Sequence, residues 1–271
     1  DATVTDTENA TINLGSASHD LETIALRGNY NSTLTLNGVS EGTVIELQGD
    51  GFASRAVTPL AAGPAATSNV GAVVVNYDVA LAERGVEATV LLNNQGVATT
   101  RDLRAFGITI NNVDTVNVVV ADGGAVINAI TGNDIDALVF SSTSNVTVSP
   151  TAVLTVGVAD TAASDASGIN RIDASDVTGT FAVSLAASGA TQNLDFAAAE
   201  GATTVTLTTA FTFDATSVFS DASTTGAFTI VTGGATDFQN ANIAGVDAIK
   251  LANGNNVTLT WAQLDTLGEA N

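Results

Sequence analysis

The feature that most constrains this chain is a beat: a short apolar run returns about every ten residues, separated by Gly, Asn and Asp. Near the start the runs are Thr23–Leu26, Thr33–Leu36 and Thr43–Leu47. From residue 108 they are Ile108–Ile110, Val116–Val120, Ala125–Ile127, Ala137–Phe140, Asn145–Val148 and Val153–Val156. Arg171–Asp173, Phe181–Leu185, Asn193–Phe196, Thr203–Thr208, Ala227–Val231, Ala248–Leu251 and Asn256–Thr260 continue the series. Even strand spacing with turn residues between predicts an all-β fold, as a sandwich, a barrel or a solenoid.

An internal repeat favours the solenoid. The hexad apolar–acid–small–apolar–x–apolar occurs at Leu21–Leu26, Val113–Val118, Ile135–Phe140 and Val246–Leu251. Its alternating apolar positions would enter a narrow core, its acid would sit where the chain turns into the strand, and its Thr or Ala would keep that corner small. One rung cannot bury its own apolar face, so rungs stack. The expectation is a parallel β-solenoid (β-helix) with a loop-rich insertion; the alternative is a β-sandwich of ordinary alternating strands.

Four segments follow from this reading. Residues 1–51 carry the first rungs. Residues 52–107 read as an irregular insertion or linker, because Pro59 and Pro64 stand among Ala and Gly and the charge rises, with short helices near 79–84 and 99–106. Residues 108–260 form the main solenoid. Residues 261–271 begin with a short helix, whose Trp261, Leu264 and Leu267 are expected to cover the open end.

Composition removes whole classes of function. The 271 residues include no Cys, which excludes disulfides, thiolate metal sites and a cysteine nucleophile. The one His, His19, leaves a single possible imidazole base, and in Ser18-His19-Asp20 it reads as a polar turn residue. With 28 acids against 7 bases the formal net charge is −21, which repels nucleic acid. The hydrophobic share of 45% is too high for a disordered acidic tail. No apolar run reaches the roughly 18 residues of a membrane-spanning helix. The opening at Asp1, without initiator Met or signal peptide, reads as a mature protein or as a segment of a longer one.

The rungs LETIAL, VDTVNV and VDAIKL, with Asn/Gly-rich turns and TLTL or VTLT strands, resemble those of type-I-secreted S-layer and surface proteins of Gram-negative bacteria. The resemblance covers about residues 11–50 and 108–260. It implies a right-handed β-solenoid, calcium binding, secretion without an N-terminal signal and assembly into a lattice on the outer membrane. The GGxGxD nonapeptide of the RTX-type calcium roll is absent, with only fragments at 49–51, 122–124 and 132–134.

Calcium takes six to eight oxygen ligands from carboxylates, Asn side chains and carbonyls. The candidate ligands are Asp50 in its Gly-Asp-Gly turn, the group Asp122, Asn133, Asp134 and Asp136, and the group Asp160, Asp165, Asp173 and Asp176. The competing account of each is Asx-turn chemistry and solvated charge. A carbohydrate-active enzyme is the weakest class: Tyr30, Tyr77 and Trp261 are scattered and Lys250 is the single lysine. The sequons at Asn9, Asn31, Asn145 and Asn256 are incidental in so Thr- and Asn-rich a chain. Docking on anionic lipopolysaccharide or another surface glycan would need calcium bridges or the arginines of 52–106, namely Arg55, Arg84, Arg101 and Arg104. The expected function is therefore a non-enzymatic, extracellular, self-assembling surface protein. A secreted adhesin or biofilm-matrix protein of the same build is the main alternative.

Overall fold

The computed structural model describes residues 9–15, 21–27, 33–48, 72–78, 85–93, 103–105, 107–121, 123–148, 154–156, 168–252 and 254–269. Every strand ladder among them is parallel. The strands form four sheets, each sheet collecting one side of a series of successive rungs.

The first sheet holds β1 (Ala10–Asn13), β3 (Leu34–Val39), β5 (Val73–Tyr77), β8 (Ile108–Asn111) and β11 (Ile130–Thr131). The second holds β2 (Thr23–Arg27), β4 (Val44–Gln48), β6 (Glu87–Asn93), β9 (Thr115–Val120), β12 (Ala137–Ser142), β15 (Arg171–Val177), β17 (Asp195–Ala197) and β20 (Val218–Ser220). The third runs β7 (Leu103–Ala105), β10 (Ala125–Ile127), β13 (Val146–Val148), β16 (Phe181–Ala187), β18 (Thr203–Leu207), β21 (Phe228–Thr232) and β23 (Ala248–Leu251), with β14 (Leu154–Val156) also on β16. The last is β19 (Phe211–Thr212), β22 (Thr236–Asp237) and β24 (Val257–Thr258). One helix, α1 (Trp261–Glu269), follows.

This is the parallel β-solenoid expected from the beat, and its all-parallel pairing excludes the sandwich. Parallel strands need a long return path, and here the return is the rest of the rung. Rung-to-rung hydrogen bonds commonly span 22 to 25 residues. Longer spans, 39 residues from Asn37 to Asn76 and 35 from Asn76 to Asn111, leave the ladder of the first sheet unbroken.

Side chains alternate in and out along each strand. In β9, Val116, Val118 and Val120 are buried while Thr115, Asn117 and Val119 face outward. The core changes character along the stack. Up to Leu138 the buried positions are mostly Val, Ile and Leu; from Phe140 onward phenylalanines join the aliphatic side chains. Phe140, Phe181, Phe196 and Phe228 follow one another at 5.0, 6.3 and 5.3 Å between centroids. Phe213 meets Phe211, Phe219 and Phe238 at 5.3, 5.1 and 5.2 Å. Ring pairs at these distances add about 0.5–1.5 kcal/mol each beyond area burial.

Three expectations are corrected. The segment 52–107 is not wholly irregular: β5, β6 and β7 lie in it and join the ladders on both sides. Val73–Tyr77 stands between Gly71 and Asp78 and Glu87–Asn93 between Gly85 and Asn94, the same punctuation as the other strands, and both supply alternating core residues. Residues 103–105 are strand where a helix was expected; 79–84 and 99–102 lie outside the described residues. The four hexads fall on two of the sheets. Those at β2, β9 and β12 lie on the second sheet, and that at β23 lies on the third.

The third correction concerns α1. Leu267 packs on the core, but Trp261 is 87% exposed and Leu264 50%. The helix is fastened instead by Gln263, whose Nε2 donates to the carbonyls of Phe238 (2.7 Å) and Ala241 (2.8 Å). Gln263 Oε1 also accepts the Thr260 N–H, and Thr260 Oγ1 accepts the Gln263 N–H, a reciprocal capping box. No helix among the described residues is long and apolar enough to cross a membrane.

Candidate functional site

The outward chemistry of the rungs is arranged in files. On the first sheet four asparagines lie in register along β1, β3, β5 and β8. Asn37 donates to Asn13 Oδ1 at 2.8 Å, Asn76 to Asn37 at 2.7 Å, and Asn111 to Asn76 at 2.7 Å. The two inner amides, Asn37 and Asn76, thus accept from one rung and donate to another, which satisfies both ends of an outward polar group and fixes register. Beside this file, Asn112 adopts a left-handed conformation (φ 67°), which asparagine tolerates better than most residues. Its Nδ2 donates to the Tyr77 carbonyl, and its N–H donates to Asn133 Oδ1 at 2.8 Å. Asn133 Nδ2 returns a bond to Asn112 Oδ1, so the candidate ligand Asn133 is engaged at both ends of its amide.

The acid corners come next. Asp114 precedes β9, and its Oδ2 accepts the Val86 N–H of the preceding rung at 2.8 Å. Asp247, before β23, does the same to the Phe228 N–H at 2.7 Å. Asp136 is stacked beside Asp114, since the register pairs Ala137 with Thr115 and the Asp136 N–H donates to the Asp114 carbonyl. Asp134 reaches the same corner. Partial burial, followed by the charge of Asp114, raises its pKa above the ordinary 3.8. The structure therefore gathers Asp134 and Asp136 around Asp114, a residue that the hexad marked as a turn acid but that the candidate set omitted. Its signal was the hexad itself.

Asp173 is committed locally. It accepts the Arg171 guanidinium at 2.7 Å and both the Oγ–H and N–H of Ser175. Burial pushes its pKa up, but the Ser175 bonds and the Arg171 charge outweigh that and hold it below the usual value. Asp176 is exposed on the same strand, next to a register shift opposite Val139 and Ser141. Asp50, Asp122, Asp160 and Asp165 lie outside the described residues. Two further acids are perturbed near the C-terminal end. Burial and the charge of Asp247 raise Asp221, against one Ser223 N–H bond. Burial likewise pushes Asp214 up, but bonds from Thr216 and Ser217 outweigh it and lower the pKa overall.

Among the described residues, no three His, Cys, Asp or Glu side chains are grouped so as to hold a metal ion. What the arrangement does do is mechanical: Asn files, acid corners and buried rings each join one rung to the next. No protein-family model, curated protein or solved structure matches the chain.

Proposed function

We propose that this chain is a structural, self-associating cell-surface protein, an S-layer subunit or its lattice-forming part, with calcium neutralising its acidic surface. The observation that carries the reading is the Asn13–Asn37–Asn76–Asn111 file on a continuous parallel stack. A file of this kind invests polar side chains in rung-to-rung cohesion rather than in a pocket, as suits a stiff rod. The charge of −21 supports the calcium part: a surface of one sign resists close contact between copies until counter-ions bind. Localisation outside the cell, and lipopolysaccharide or another surface glycan as an anchor, belong to the same reading.

The test is light scattering with negative-stain microscopy of the purified chain, first in millimolar calcium and then in chelator. Ordered sheets that dissolve in chelator support the lattice. A monomer equally folded in both conditions overturns it, and saturable binding of one glycan by that monomer would move the adhesin ahead.

A further inference from the structure

Of the four residues in the asparagine file, Asn37 is the one followed by glycine; Leu14, Tyr77 and Asn112 follow the others. Asn-Gly occurs at 37–38 and at 253–254, and Asn253 lies outside the described residues. In this dipeptide the side-chain amide is open to attack by the next backbone nitrogen, because glycine puts no side chain in the way of ring closure.

The fold calls for both residues. β3 pairs with β5 through Asn37 on Asn76 and then Val39 on Tyr77, so Gly38 is an extra residue in that ladder. Gly38 takes a left-handed conformation (φ 74°), and a Cβ there would stand 3.3 Å from the Gly15 nitrogen of the neighbouring rung. Another residue at 38 would be strained and crowded. Asn37 is needed for the file: its Nδ2 donates to Asn13 Oδ1 at 2.8 Å, and its Oδ1 accepts from Asn76 Nδ2 at 2.7 Å. A residue able to do both must carry an amide.

The same two bonds hold the amide away from reaction. For the Gly38 nitrogen to reach Asn37 Cγ, the side chain must swing back toward its own backbone. An amide tied to a rung on each side does so only by giving up those bonds.

We propose that Asn37–Gly38 is a latent modification site, held closed by Asn13 and Asn76 and converted when the first sheet opens there. The Gly38 nitrogen loses its proton and bonds to Asn37 Cγ. The Cγ–Nδ2 bond breaks, and ammonia leaves with that proton. Water then opens the cyclic imide at one of its two carbonyls, leaving aspartate or isoaspartate. The ionised carboxylate of either product has no N–H to give Asn13, and isoaspartate also lengthens the backbone and disturbs register. A local opening of the ladder is thereby made permanent. The inference stands apart from self-association.

The experiment is peptide mass spectrometry at Asn37 in the purified full chain, aged at constant pH and temperature. Samples are folded wild type, wild type unfolded in urea, Asn76→Ala and Thr109→Ala, with circular dichroism as the control on folding. Asn76→Ala removes the donor to Asn37 Oδ1. Thr109→Ala removes a hydroxyl bond to Thr131 in the same sheet and leaves the file whole. Folded wild type is expected to convert more slowly than the unfolded chain by about tenfold or more, and Asn76→Ala to convert about three- to tenfold faster than folded wild type, the factor that one lost hydrogen bond gives. Thr109→Ala is expected to match wild type. If Asn76→Ala does not fold, Asn13→Ala removes the other partner and is read in the same way. Equal rates in folded and unfolded wild type overturn the proposal, as does a folded Asn76→Ala that converts at the wild-type rate. Equal acceleration by Thr109→Ala and Asn76→Ala overturns the role of the two amide bonds in favour of general loosening of the sheet.

Discussion

The Asp114 carboxylate accepts the backbone N–H of Val86 at 2.8 Å, so an acid of one rung closes the corner of the rung before it. Val86 is 4% exposed, so little water is available to replace that acceptor. Asp114→Ala is expected to lower unfolding free energy by about 1–3 kcal/mol, the cost of a buried unsatisfied donor. Asp114→Asn keeps an acceptor oxygen and removes the charge beside Asp134, so it is expected to stay near wild type. Urea midpoints of the two variants measure the difference, and equal values would show that the bond contributes nothing.

Stability is expected to depend on pH in two opposite steps. Asp134 and Asp221 have folded pKa values above 3.8. A raised carboxyl penalises the folded state when ionised, so stability rises as pH falls through the folded pKa toward 3.8. Asp173 and Asp214 have folded values below 3.8, so their contribution is complete above 3.8 and is lost as pH falls through the folded pKa. The expected profile rises on mild acidification and then falls. General relief of acid repulsion adds to the rise, so Asp134→Asn isolates its part: the variant should be more stable than wild type at pH 7 and show a smaller rise. Thermal melts followed from neutral pH down through and below 3.8 test both steps.

Phe213 is fully buried and has three aromatic neighbours within 5.3 Å. Phe213→Ala removes a large side chain from a place that stacked rungs cannot close, and is expected to cost about 3–5 kcal/mol. Phe213→Leu should cost less than half of that. Chemical denaturation of the two variants decides, and equal losses would count against ring packing as the source.

The glycines Gly179, Gly201 and Gly226 lie in successive rungs, and a Cβ on Gly201 would run into the Gly179 carbonyl. Backbone cannot move aside there without parting the rungs. Gly201→Ala is expected to destabilise by about 1–3 kcal/mol. At Gly107 an added Cβ would meet only the Ala72 methyl at 3.5 Å, so Gly107→Ala should be neutral or slightly stabilising. The pair of melting temperatures tests the contrast.

Thr232 is fully buried at the end of β21, and its Oγ1 has no hydrogen-bond partner among the described residues. Valine has the same shape without the hydroxyl. Thr232→Val is expected to stabilise by about 1 kcal/mol by removing that desolvation cost. A lower urea midpoint would show that the hydroxyl is satisfied in solution.

The sequence by itself determined the class of fold and most of its strands. Alternation such as Val116-x-Val118 has one buried solution on a narrow stack, and Gly and Asn between runs permit the corners. It also marked the turn acids, since Asp114 and Asp247 occupy the same hexad position and make the same bond to the preceding rung. Three things were decided only by the tertiary structure. β5 and β6 join the stack because strands on both sides offer ladders, a pairing that local spacing does not announce even though Gly71, Asp78, Gly85 and Asn94 punctuate both strands. The Asn13–Asn37–Asn76–Asn111 file depends on register across spans of 24, 39 and 35 residues, a distance no local pattern encodes. Trp261 faces outward, although a helix so placed invited an apolar cap, because Gln263 satisfies the last carbonyls and turns the other face to the rung. Spacing along a chain sets which residues alternate; which rung stands beside which is settled only when the apolar faces are buried together.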